Sequence, residues 1–130
     1  MSGALVIRFT VEGRPVPKGR PRVVTVTRAS RAHAYTPAST KVYETLIGWT
    51  YREPAGALPP ATGLIALFVK VYEDATQHAG DLDNYVKIVG DALNGIAWAD
   101  DKQVVILRAE MHRNAGRARL EVGISEDPTE

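Results

Sequence analysis

Apolar and β-branched residues alternate with polar ones over residues 4–12 (ALVIRFTVE), the period-two signature of a half-buried strand. Prolines and glycines then interrupt the pattern in GRPVPKGRPR (13–22), and a second strand is expected over RVVTVTR (22–28). ASRAHAYTP reads as a polar loop, with Thr36 as N-cap and Pro37 opening a helix over 37–52. Val42, Leu46 and Trp49, with Ile47, recur at helical spacing within it and predict its buried face. After the loop 53–63, LIALFVKVY (64–72) is the most apolar strand and the expected centre of a sheet. A helix over 83–93 follows, closed by Asn94-Gly95. Two further strands, 103–112 and 118–124, are expected to pair as a hairpin through RNAGR. The pattern predicts a single α+β domain with about five strands in a mixed sheet and two main helices, fraying over its last five or six residues.

Composition agrees with that fold and narrows the chemistry. A chain of 130 residues with 45% apolar content sustains a core without staples. The absence of cysteine removes disulfides and thiolate zinc sites. The first residues carry neither the basic region nor the apolar run of a signal peptide, and no stretch is long enough to span a bilayer. A cytoplasmic protein with no membrane role is expected.

Charge is unevenly spread. Residues 1–52 hold nine Lys or Arg against two acidic residues, a net of +7, and residues 53–130 hold seven against thirteen, a net of −6. That asymmetry points to a polyanionic partner and a separate cation site, or to two solvated faces of opposite sign.

The acidic half concentrates its carboxylates in GDLDNYVKIVGDALNGIAWADD, with five aspartates in 22 positions interleaved with core-type residues. One Asp at the start of a helix is an ordinary cap, but Asp81 and Asp83 repel one another unless a cation lies between them. Lys87 is four residues after Asp83, placed for an ion pair or for stabilising a developing anion. Asp91 fits a solvated helix face. Asp100 and Asp101 form a turn, and together with Asp81 and Asp83 they are expected to converge at one end of the sheet. Carboxylates without His or Cys select hard cations, Mg²⁺ or Mn²⁺, which activate water and neutralise a phosphodiester. An EF-hand is excluded, because Tyr85 and Val86 stand where it needs a ligand and a glycine. A nucleotide-sugar transferase is excluded by size, and His33, His78 and His112 lack zinc-ligand spacing.

The basic half is led by Lys18, Arg20 and Arg22 on a proline-stiffened arm, continued by Arg28, Arg31 and Lys41, with Tyr35 as a stacking group. Such a surface beside an acidic metal site suits a nuclease, one holding phosphates and the other cutting.

PVPKGRPR, DLDNYVKIVGDALNG and WADDKQV, in this order and spacing, resemble the RusA family of Holliday junction resolvases over residues 6–124. The resemblance implies a homodimeric Mg²⁺-dependent endonuclease, acting on four-way DNA junctions in recombination and repair. It makes Asp81, Asp83 and Asp101 metal-binding carboxylates, with Asp100 sharing that role, and Lys87 the catalytic lysine. The arm residues Lys18, Arg20 and Arg22, with Arg28 and Arg31, are the expected DNA contacts. A bacterial setting, phage or prophage included, is also implied. Two other readings remain: a junction-binding module that does not cut, and a metal-dependent phosphoesterase acting on nucleotides.

Overall fold

The computed structural model describes residues 6–19, 22–25, 32–35, 38–74 and 80–126. Its elements are β1 (Val6–Glu12), β2 (Arg22–Thr25), β3 (Ala32–Tyr35), α1 (Ala38–Ala55), β4 (Ile65–Tyr72), α2 (Leu82–Leu93), β5 (Val104–His112) and β6 (Arg119–Glu126). The main sheet has the order β1-β6-β4-β5, and β2 and β3 form a separate antiparallel pair. The class is α+β with a mixed sheet and two helices, as expected, and the described residues form six strands, close to the expected five. The segment expected as a polar loop contains β3, whose AHAY sequence has no β-branched or large aliphatic residue to announce a strand.

β4 is central, but the expected β5–β6 hairpin does not exist. β5 runs parallel to β4 after the crossover through α2, while β6 enters between β1 and β4, antiparallel to both. The turn chemistry was real: Asn114 and Gly116 both have positive φ. The turn passes over the end of β4 instead of folding back on β5. Glu73, just beyond β4, donates its N–H to His112 O at 2.9 Å, and its own carbonyl accepts from Ala115 N at 2.8 Å. The connection therefore carries the chain past one strand. β6 then buries Leu120, Val122 and Ile124, which an edge position would leave half exposed.

Both helices cover one face of the sheet. The core joins Ile7, Phe9 and Val11 of β1 to Leu67, Val69 and Val71 of β4, and to Ile88, Val89 and Leu93 of α2. α1 turns Tyr43, Ile47 and Tyr51 inward. Of the expected stripe only Ile47 is buried, and the rest is corrected: Val42 is 69% exposed and Trp49 72%, and Leu46 is exposed too. Tyr43 and Tyr51 supply the buried face because an aromatic with one polar atom fills the wide gap to the sheet. Among the described residues no helix is long and apolar enough to cross a membrane.

Candidate active site

Asp81 occupies the N-cap position of α2 in extended backbone, yet its side chain makes no capping hydrogen bond. Its carbonyl accepts from Asn84 N at 3.0 Å, so the first turn is closed by backbone alone. Asp81 and Asp83 are both exposed, and neither carboxylate has a partner among the described residues. A cap that does not cap leaves its charge available. Lys87 lies one turn along from Asp83 and is also exposed, but the two form no ion pair within 4 Å. Of the two roles open to Lys87, the ion pair with Asp83 is not formed, and both groups face solvent without a partner among the described residues.

The other pair is occupied. Asp100 accepts from Lys102 N at 2.9 Å and takes part in a capping box with Gln103, whose side chain accepts from Asp100 N at 2.7 Å. Asp101 Oδ1 accepts from Trp98 Nε1 at 2.9 Å, so a buried indole fixes this carboxylate. Gln103 Nε2 bonds the carbonyls of Ala61 and Gly63 ahead of β4, seating the turn at the start of the sheet.

The expected convergence fails within one chain. Asp81 caps α2 and Asp83 lies in its first turn, beside the C-terminal ends of β4 and β5, and Asp100 and Asp101 follow α2, beside their N-terminal ends. The helix from Asp83 to Leu93 separates them, about 15 Å at 1.5 Å per residue. No group of three or more acidic or histidine residues able to hold a metal occurs among the described residues. The physical reason is the parallel crossover: the helix joining β4 to β5 must return to the other end of the sheet, separating whatever flanks it.

The arm meets the first pair directly. Lys18 N donates to Asn84 O at 2.9 Å, and Gly19 N donates to Thr40 Oγ1 at 3.0 Å. Pro17 packs so closely on Gly80 that a Cβ there would lie 2.9 Å from the proline Cβ. The Lys18 ammonium bridges Glu44 of α1 at 2.7 Å and Asp91 of α2 at 3.0 Å, with its side chain only 18% exposed. Partial burial works against that charge, but the two carboxylates outweigh it and raise the Lys18 pKa above the ordinary 10.5. Asp91, expected on a solvated face, is thus half of a clamp. Arg14 Nε bonds Asp74 at 3.1 Å, fixing the arm's start to the loop after β4. Arg22 opens β2, and Arg20, Arg28, Arg31 and His78 lie outside the described residues, as do Thr36 and Pro37.

Beneath the free aspartates is a network that patterning could not reveal. Glu73 is fully buried, accepting from Tyr85 Oη at 2.7 Å and Arg113 Nη1 at 2.6 Å. Burial and the bond to Glu73 raise the Tyr85 pKa, so the hydroxyl remains a donor. Arg113 also reaches Gly80 O at 3.5 Å. Tyr85 belongs to the turn that carries Asp83, so the network pins that turn to the strand end. A lone Glu after an apolar strand gives no sequence signal of burial.

Residues 12–125 match the family described as endodeoxyribonuclease RusA. The chain belongs to the RusA endodeoxyribonuclease family. It is also 32% identical, over 142 aligned positions, to the uncharacterized protein YqaN of Bacillus subtilis, covering 92% of this chain and 96% of that protein. The matched range includes both acid pairs, Lys87 and the arm. The family is one of endodeoxyribonucleases, and the chain is accordingly a nuclease.

Proposed function

We propose that the protein is a Mg²⁺-dependent, structure-specific endonuclease that resolves four-way DNA junctions as a homodimer, in recombination and repair in the bacterial cytoplasm. Family membership together with the uncommitted Asp81–Asp83 pair carries this reading. Oxygen donors without His or Cys suit Mg²⁺, with Mn²⁺ as a substitute. When bound, the ion supplies an activated water and neutralises the scissile phosphate. Asp81 and Asp83 hold it, the network of Glu73, Tyr85 and Arg113 keeps them in place, and Lys87 stabilises charge that develops on the leaving oxygen. The arm carries Arg20, Arg22, Arg28 and Arg31 to the DNA backbone. Lys18, already clamped by two carboxylates, sets the course of that arm.

Two acids at one end of α2 do not complete a metal site, and the second copy resolves the difficulty. β5 is the outer strand of the main sheet, and Val105, Ile106 and Leu107 are exposed large apolar residues along it. Such an edge is a template for pairing. Antiparallel pairing of β5 with its twofold copy sets the start of one strand against the end of the other. Asp101, three residues before β5, then approaches the end where the second copy carries Asp81 and Asp83. Each of two sites draws on both chains, and paired cuts follow from the symmetry. The same separation of the acids favours a second reading, a monomeric junction binder that does not cut. A labelled four-way junction and a matched linear duplex, incubated with Mg²⁺ or EDTA, test both readings. Metal-dependent paired nicks in the junction alone support the endonuclease, whereas binding without cleavage under every condition supports the binder.

A further inference from the structure

We propose that the face of the main sheet opposite the helices is a second contact surface for the DNA backbone, built on Arg8, Lys70 and Arg108 around Phe68. The partner rests on the nuclease reading; the surface itself rests on geometry. Register places Arg8, Gly123, Phe68 and Arg108 in one row across all four strands. Phe68 lies against Gly123, which has no side chain to lift the ring, and remains 37% exposed. A trough opens on each side of it. One is lined by Arg8, Thr10, Lys70 and Glu121, the other by Arg8, Ile106, Arg108 and Ser125.

The charges decide what such a face accepts. Two of its three carboxylates are in ion pairs, Glu12 with Arg117 at 2.9 Å and Glu121 with Arg119 at 2.9 Å, and the third, Glu110, has a hydrogen bond with His112 at 3.0 Å. Arg119 also stacks over the Tyr72 ring at 3.7 Å, which closes that end of the face on itself. Arg8, Lys70 and Arg108 are exposed and have no ion pair among the described residues. The surplus is therefore positive. Arg8 and Arg108 stand three strand spacings apart, about 14 Å, too far for one phosphate and suited to several phosphates of an extended backbone. A second copy of the chain fits poorly. Two such faces in contact would bury six cations with only the two Glu110 carboxylates to meet them, a cost of several kcal/mol for each ion left unpaired.

The test is DNA binding in EDTA, so that cleavage plays no part, with a 20-base-pair duplex and a four-way junction over a salt series. The triple variant Arg8→Ala/Lys70→Ala/Arg108→Ala is expected to flatten the log–log salt slope by about 0.9 per lost contact, roughly 2.7 in all. Glu121→Gln, which releases Arg119, should move the slope the other way. If the triple variant fails to fold, Lys70→Gln and Arg108→Gln singly should each flatten it by about 0.9. Wild-type binding with an unchanged slope in these variants overturns the proposal. So does loss of self-association in sedimentation without a change in DNA binding, since that outcome assigns the face to a second copy. A wild type that binds neither DNA defeats the nuclease reading as well, and is thereby told apart from failure of the face alone.

Discussion

The two ends of α2 carry the same chemistry in opposite states. At its start, Asp81 stands where a cap belongs and does not cap, and Asp83 has no partner among the described residues. At its far end, Asp100 caps a short turn and Asp101 holds the Trp98 indole. The free pair is held rigid from below, through Tyr85 and the buried Glu73, while its own oxygens remain available. The engaged pair needs no cation to be stable. Under the proposed reading the free pair is where the ion would bind, and the engaged pair holds one carboxylate, Asp101, in a fixed direction.

The sharpest way to break this contrast is to neutralise the free pair. Asp81→Asn or Asp83→Asn should reduce junction cleavage about 1000-fold or more, the several kcal/mol a bound metal contributes. Junction affinity should be unchanged or tighter, since a charge repelling phosphate is gone. Wild-type cleavage by either variant, in a timed assay at saturating Mg²⁺, removes that residue from the site. Next in size is a complementation. Asp83→Asn and Asp101→Asn homodimers should each be inactive, but mixing them under subunit exchange should restore nicking. A heterodimer carries one site with both substitutions and one with neither, provided each site is shared between chains. No recovery, with exchange confirmed by mass, places all the acids of a site in one chain.

The sheet's central strand, the second helix and the acid pairs were legible because each leaves a local mark. LIALFVKVY is too apolar for an edge, and D-x-D before an amphipathic run announces a charged helix start. Strand order left no such mark. RNAGR has the glycine and asparagine of a tight turn, but turn chemistry does not say which strand lies beneath it, and β4 intervenes. The face of α1 was misjudged for a related reason. Val42, Leu46 and Trp49 are the more hydrophobic set, yet Tyr43 and Tyr51 reach the sheet, and an alternation of 3.6 fixes a period without fixing its phase. The acids' separation likewise depended on knowing that β4 and β5 are parallel. Their chemistry was readable, and their distance was not.

Smaller changes sharpen the contrast by disturbing what supports each end. Gly80→Ala puts a Cβ 2.9 Å from the Pro17 ring, and a proline-stiffened arm has little room to yield. A loss of about 1–3 kcal/mol is expected, with weaker DNA binding as the arm lifts from the acid loop. Thermal unfolding and anisotropy measure the two effects, and an unchanged midpoint would mean that the arm does not pack there. At the other end, Asp100→Ala removes the capping box, for about 1 kcal/mol of stability. Cleavage should fall far less than in Asp101→Asn. Equal loss from both would make Asp100 a ligand and erase its distinction from Asp101.

The smallest expected effect separates a clamp from a contact. Lys18 was expected at the DNA, but its ammonium lies between Glu44 and Asp91 and ties the arm to both helices. Its folded pKa is raised above 10.5 by those carboxylates, against the opposing effect of burial. A raised folded value means that the clamp's contribution is complete below the unfolded pKa and is lost as pH climbs through the folded one. The wild type should therefore lose stability above about pH 10.5, over and above a Lys18→Met variant that has no such group to titrate. At neutral pH that variant should be the less stable of the two, because Glu44 and Asp91 face each other without their cation. Its DNA salt slope should stay near that of the wild type, since a lysine held by two carboxylates has no charge to spare for phosphate. A slope flattened by about 0.9 would return Lys18 to the DNA interface, and an unchanged alkaline unfolding curve would remove it from the clamp.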